Sequence, residues 1–389
     1  MRIGKALSLI TKMPPNPYMS LRINFHGLFQ SPMSWAHVNR EMALALDQLG
    51  CQVTVKAHRG FGYDPQFPLD PRIEALRKGD DHQDIDVAFD YPLHYSRLSG
   101  RFKVGLLVYE TSELPPAWVE AIQGHLDLLV VPSRFCRKLA IQSGVSPERI
   151  EVIPYGFNPR LYHRSVAPQL GFPRSGFVFL CVAMPHIRKG IPELVQAFIE
   201  EFDPGEPVGL VVKTTYLPRE QAGKSRDWEI PGLARRIQSL GCEDRRGRRI
   251  HLMSRAMAPD EMPGLYASSH AYVQPSYSEG FGLSILEAKA VGRPTVVTGW
   301  GGHMDFCTDT NSYLVEYDMV PAGKAQYDHA SLTACAARPG SASLRQQMRL
   351  VYTDTKEAER RVFQSFMDIH QFTWDMAARR LADLLRERI

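Results

Sequence analysis

Short apolar runs recur along the chain, and most are separated by enough residues to hold a helix. In the first half they fall at 21–25, 51–55, 85–89, 104–109, 128–131 and 150–153, and in the second at 177–182, 208–212, 250–253, 271–274 and 295–298. Such runs, bounded by turn formers and joined by helix-length crossovers, predict parallel sheets covered on both faces. The first crossover shows the pattern: Val38, Met42, Ala45, Leu46 and Leu49 share one helical face, and Gly50 ends it. Residues 155–175 carry Gly156, Pro159, Pro168, Gly171 and Pro173 without periodicity and read as a linker. At 389 residues the chain exceeds one ordinary core. The expectation is an α/β protein of two doubly wound, Rossmann-like domains, 1–165 and 170–370, with 344–369 as one long helix and 375–388 as a terminal one.

Composition narrows the function classes. A formal net charge of +4 on this length demands no nucleic-acid partner. The cluster Arg245, Arg246, Arg248 and Arg249 has Glu243 and Asp244 beside it and reads as a solvated face. Six cysteines stand singly with no zinc spacing, which predicts buried reduced thiols and a cytoplasmic setting. Basic residues precede a short apolar patch at the N-terminus, but Pro14 and Pro15 interrupt it without a cleavage site, and no run spans a membrane.

The stretch 275–288 follows the run at 271–274 and opens a helix carrying Leu283, Leu286 and Ala290. A strand that ends in a glycine turn and feeds a helix aims unpaired N–H groups and a positive dipole end at the space above the sheet. Glu279 and Glu287 flank Gly280, Phe281 and Gly282 there, eight positions apart. With the preceding strand and Pro275-Ser276 turn, this pattern resembles the signature of retaining GT-B glycosyltransferases of family 4, glycosyltransferase group 1. Residues 177–202 resemble that family's first strand, basic loop and helix of the second domain. Residues 298–305 resemble its following glycine loop, 144–158 its domain-closing segment, and 372–375 the start of a final helix that crosses back to the first domain.

The resemblance implies a central cleft, with a nucleotide-sugar donor in the second domain and an acceptor in the first. Lys189 and Arg188 would neutralise the donor diphosphate, helped by the N–H groups of Gly282, Leu283 and Ser284. Glu287 would accept the two ribose hydroxyls. Glu279, with Gly280 and Phe281, would hold the transferred sugar, and the base would rest near Ser254. Many family members carry an arginine five positions before the loop lysine; here that residue is Met184. On the acceptor side the candidates are Gly27, which opens the loop after the first strand, and Asp90, His94 and Glu110, which follow strand ends where open α/β sheets bind ligands. Asp84 and Asp86 form a D-x-D pair at the opposite strand end, so neither a metal nor another cofactor is expected. The leaving phosphate would take the acceptor proton in a front-face attack, with electrostatic stabilisation replacing a metal.

The donor is expected to be a UDP-sugar, with a GDP-sugar as the alternative. For the acceptor, Asp90, Glu110 and Glu113 suit a polar, amine-bearing molecule of the aminocyclitol type. A cell-surface or lipid-linked glycan stays open, because residues 1–60 carry seven Lys or Arg against Glu41 and Asp47. A GT-B nucleotide-sugar epimerase and an inactive sugar-nucleotide-binding subunit are the other readings.

Overall fold

The structure, a computed structural model, describes residues 16–60, 62–169, 176–214, 250–255, 257–323 and 333–389. The N-terminal basic patch, Cys242 and the cluster from Arg245 to Arg249 lie outside them.

Two six-stranded parallel sheets carry the molecule. The first comprises β1 (Arg22–Gly27), β2 (Gln52–Ala57), β3 (Ile85–Phe89), β4 (Phe102–Leu106), β5 (Leu128–Val131) and β6 (Ile150–Val152), in the order β2-β1-β3-β4-β5-β6. The second comprises β7 (Phe177–Val182), β8 (Val208–Lys213), β9 (Ile250–Met253), β10 (Ala271–Gln274), β11 (Thr295–Thr298) and β12 (Tyr313–Val315), in the order β12-β11-β10-β7-β8-β9. Strand order through the second sheet reverses between β7 and β10 while all strands stay parallel, which is the dinucleotide-fold order. The first reverses between β1 and β3, the flavodoxin-like order with a sixth strand added. Both orders leave a crevice at the carboxyl ends of the strands, and the two crevices face each other.

Fully buried valine, isoleucine, leucine and phenylalanine fill the central strands, among them Ile23, Phe25 and Val87 in the first sheet and Phe179, Leu180 and Val212 in the second. The helix Trp374–Arg388 leaves the second domain and packs on the helix Ser34–Leu49 of the first. Ala377, Ala378, Leu381 and Leu385 form its buried face, and Thr373 caps it by accepting from the Met376 N–H at 3.3 Å. Phe157 N–H donates to the Phe372 carbonyl at 3.0 Å, so the two interdomain crossings lie side by side.

Four expectations need correction. The run at 104–109 stops being strand at Leu106; Leu107 and Tyr109 are apolar because they are buried at the sheet edge, where Gly280 of the other domain packs against Val108 and Tyr109. The expected linker at 155–175 is no slack tether over its described part, since Tyr155, Phe157 and Tyr162 are buried in the core. The single helix at 344–369 is two, Ser341–Thr353 and Thr355–Ile369, broken at Asp354, whose carboxylate accepts from the Glu357 N–H at 3.0 Å. Finally, β12 and the hairpin of β13 (Tyr317–Pro321) and β14 (Cys335–Pro339) were not anticipated, because their short segments lack a clear apolar alternation. Among the described residues no helix is long and apolar enough to cross a membrane.

Candidate active site

Between the facing crevices lies a cavity of about 420 Å³. One wall comes from the loops after β7 and β10, the other from the loops after β1, β3 and β4.

The centre of the second-domain wall is a charged cluster. Lys189 ends a 3-10 turn, Ile187–Lys189, and its ammonium donates to both oxygens of Glu279 at 2.7 and 2.9 Å. Glu279 is 5 % exposed and also accepts from Ser276 Oγ at 2.7 Å and Gln274 Nε2 at 2.5 Å. Burial alone would raise its pKa, but Lys189 and Arg188 outweigh burial and bring it down to about 2. Arg188 spans the cleft: it donates to the Ser278 carbonyl at 2.9 Å and pairs with Glu110 of the first domain at 3.2 Å. His186 caps this turn through Nδ1 and lines the cavity; burial and the neighbouring cations lower its pKa to about 3, so it is neutral.

Glu287 lies a turn into the helix Leu283–Ala290, where Ile285, Leu286 and Ala288 anchor the core side. Gly282 enters that helix at φ +92°, a conformation L side chains rarely adopt. Leu283 and Ser284 then line the cavity with first-turn N–H groups that have no acceptor within the helix. Tyr266 donates to Glu287 Oε2 at 2.8 Å, and His37 of the first domain stands 3.8 Å from Oε1. Burial raises the Glu287 pKa, hydrogen bonds from Tyr266 and Tyr162 oppose the rise, and the balance is about 7. The carboxylate is therefore half-ionised near neutrality and retains lone pairs for further donors.

The opposing wall is aromatic. Trp35, Tyr91, Trp118 and Tyr109 form a chain of edge contacts, with centroids 5.0 Å apart for Trp35–Tyr91, 5.9 Å for Tyr91–Trp118 and 5.1 Å for Tyr109–Trp118. Glu110 is the carboxylate on this wall, and Arg40 is committed to the carbonyls of Phe29 and Ser31.

Among the candidates read from sequence, Lys189, Arg188, Glu279, Glu287, Glu110 and the stretch from Gly280 to Ser284 meet on the cavity. Four do not line it. Ser254 is exposed beyond β9, next to Arg255, which pairs with Glu261 at 3.0 Å. Gly27 is covered by Asn39, whose side chain donates to the Leu28 carbonyl at 2.9 Å, so the loop reaches the cleft instead through Pro32 to Trp35. Asp90 sits behind the wall, paired with His94 and His58 at 3.0 Å each, while Tyr91 faces the cavity. Asp84 binds Arg22 near the surface, whereas Asp86 is fully buried and accepts from Asn24 and the N–H groups of Ser99 and Gly100. Tyr162, Tyr266, His37 and the aromatic wall escaped sequence reasoning, because their partners are remote in the chain and each residue reads singly as core; Gln274 and Ser276 lie within five residues of Glu279 but read as a strand end and a turn residue. Pro132-Ser133 after β5 and Pro275-Ser276 after β10 both follow a strand end but differ in use: Ser133 caps the helix Arg134–Gln142 and donates across the domain boundary to the Gly280 carbonyl at 2.7 Å, whereas Ser276 serves Glu279.

Residues 176–327 match the family described as glycosyl transferases group 1. D-inositol 3-phosphate glycosyltransferase of Acidothermus cellulolyticus is 29% identical over 192 residues, which are 48% of this chain and 41% of that protein. Mannosylfructose-phosphate synthase of Agrobacterium fabrum is 26% identical over 209 residues, covering 50% of this chain and 43% of its own. The chain thus spans less than half the length of either relative. Two solved structures share the whole architecture. Sucrose-phosphate synthase from Thermosynechococcus elongatus superposes with a TM-score of 0.69 at 17% identity, over 94% of this chain and 98% of that one. Anabaena Alr3699/HepE, in complex with UDP and glucose, gives 0.67 at 19%, over 94% and 99%. At these identities the likeness is one of fold, and the fold is GT-B.

Proposed function

We infer the function from one premise: the chain belongs to the group 1 glycosyltransferases. We propose that it moves a sugar, with retention of anomeric configuration, from a nucleoside-diphosphate donor to a hydroxyl of a polar acceptor. The observation that carries this reading is the convergence of Lys189, Arg188 and the helix start at Gly282 on one wall of a cavity whose other wall is aromatic and belongs to a different domain. A diphosphate at that wall meets charge-assisted donors and a positive helix end. The ribose then falls toward Glu287, whose carboxylate accepts the diol. UDP is the favoured carrier; the solved relative Alr3699/HepE holds UDP and glucose in the same fold.

The cations and the helix end stabilise the departing diphosphate, so no step is assigned to a metal. The carboxylates on the walls are engaged: Glu279 with Lys189, Glu110 with Arg188, and Glu287 with Tyr266. A double displacement needs a carboxylate free to attack the anomeric carbon. The arrangement therefore favours front-face attack, in which a leaving-phosphate oxygen takes the acceptor proton as the new glycosidic bond forms. For the acceptor, a wall of ring edges and faces with one carboxylate suits a cyclic polyol of the aminocyclitol class, whose C–H face packs on aromatic carbon while its hydroxyls or amines reach Glu110.

The test is a melting-temperature screen of UDP, GDP, ADP and dTDP, followed by incubation with the stabilising nucleotide's sugars and aminocyclitol, inositol and glycan acceptors. A single diphosphate that stabilises the protein, followed by acceptor-dependent sugar transfer, is expected. Donor conversion without any acceptor would instead identify an epimerase, and binding without turnover in any combination would leave a nucleotide-binding subunit.

A further inference from the structure

The diphosphate wall as described so far is electrically balanced. Lys189 and Arg188 stand against Glu279 and Glu110, each cation already paired with a carboxylate. Met184, which also lines the cavity, adds no charge. A dianionic diphosphate needs an excess of positive charge here, and one residue supplies it.

Lys213 ends β8 directly beside Val182, the last residue of β7, and its carbonyl accepts the Ala183 N–H at 3.0 Å. Neighbouring strands lie about 5 Å apart, so its backbone adjoins the start of the loop that carries Met184, Arg188 and Lys189. Its side chain lines the same cavity and is 4 % exposed. Among the described residues, its ammonium donates only to the carbonyl of the next residue, Thr214, at 2.6 Å. An ammonium has three donors and a high desolvation cost, which a single carbonyl does not offset. Glu261 attracts it from a distance but is bonded to Arg255 and the Ala258 N–H, while Arg255 repels it. Burial first, and then Arg255, bring its pKa down to about 8. The hydroxyl of Thr214, also buried, has no partner among the described residues. A lysine kept inside a cavity wall without a carboxylate lowers the stability of the empty protein, which is the pattern expected where binding an anion restores the balance.

We propose that Lys213 is a phosphate-binding residue, its ammonium taking a non-bridging oxygen of the donor's diphosphate. This assignment rests on the nucleoside-diphosphate reading given above. It makes the adjacent strand end, not the loop position held by Met184, the source of the additional cation.

Calorimetric titration of the full chain with UDP, UMP and uridine, and with GDP, GMP and guanosine, tests it in the wild type, Lys213→Met and Lys213→Arg. Loss of a charge-assisted bond lowers affinity by roughly tenfold or more. Lys213→Met should therefore weaken the diphosphate at least about tenfold and leave the nucleoside unchanged, while Lys213→Arg restores most of the affinity. The melting temperature of unliganded Lys213→Met should be equal to or above that of the wild type, because a methionine fills the space without burying a charge. A purely structural lysine would lower it. The assignment is overturned if Lys213→Met binds the diphosphate as tightly as the wild type. It is also overturned if nucleoside affinity falls in parallel, since the contact is then to the base, or if unliganded Lys213→Met is destabilised and the arginine fails to rescue binding. A wild type that binds no diphosphate of either series would overturn the nucleotide reading and this assignment with it.

Discussion

Replacing Lys189 by methionine keeps the length of the side chain and removes the ammonium that holds Glu279. What remains around that carboxylate is Ser276 Oγ at 2.7 Å, Gln274 Nε2 at 2.5 Å and Arg188 at 3.5 Å. Removing one partner of a buried ion pair typically costs about 3–5 kcal/mol, and the surviving donors place this case near the lower end, about 3 kcal/mol. Glu279→Gln leaves Lys189 facing Arg188 with one countercharge fewer, and costs a similar amount. In the double variant neither charge is stranded. The coupling energy from the four proteins should therefore be at least about 2 kcal/mol, read from urea unfolding followed by fluorescence. Lys189→Met should also lose about 10²–10³ in transfer rate, the usual effect of deleting one donor to a developing charge. Single-variant losses that add to the double-variant loss within about 0.5 kcal/mol would refute the buried pair, whatever happened to the activity.

The same carboxylate gives a pH signature. Its folded pKa of about 2 lies below the ordinary 4.5, so its ionised form, held by Lys189 and Arg188, stabilises the fold. That contribution is complete above pH 4.5 and disappears as pH falls toward 2, so acid unfolding of Glu279→Gln should be shallower across this window. Glu287 is displaced the other way, to about 7, so its proton is favoured by folding and stability declines as pH rises from 4.5 through 7. If its carboxylate accepts the ribose diol, donor KM should climb below pH 7, and Tyr266→Phe should move that rise to higher pH. A flat donor KM profile from pH 5.5 to 8 would count against the ribose role. Gly302→Ala places a Cβ 1.8 Å from the Gly280 carbonyl oxygen and 2.6 Å from Ser133 Oγ, so it should abolish transfer and destabilise by about 2 kcal/mol or more in chemical denaturation. Trp118→Ala should raise acceptor KM severalfold and leave donor KM unchanged; equal effects on both would remove the aromatic wall from acceptor recognition.

Periodicity revealed the sheets because parallel strands buried on both faces must be apolar throughout, as at 177–182 and 128–131. It overshot at 104–109, where Leu107 and Tyr109 are apolar for a different reason, burial in the first domain's own core beyond the strand end. It also read through Asp354, since helical spacing continues on either side and only the cap geometry breaks the helix. At the site, Glu279, Lys189 and Glu287 were recognisable because local spacing fixes a loop residue and a residue one turn into a helix. Lys213 was not, because one lysine after an apolar run reads as an ordinary strand end until burial is known. Tyr162 and Tyr266 carry no local mark at all, and their meaning comes only from the carboxylate they share. Asp90 and His94 follow a strand end as expected, yet Asp90 pairs with both His94 and His58 behind Tyr91, a choice that side-chain packing makes.

The helix Trp374–Arg388 completes the first domain from beyond the second in sequence. On a ribosome the strands β1 to β6 emerge long before this helix, so the face of Ser34–Leu49 that it covers, with Tyr18 awaiting Asp383, stays open to solvent while the second domain is still being made. The first domain is thus completed only after the second has been made, and in the interval its uncovered face is open to misassembly and to chaperones.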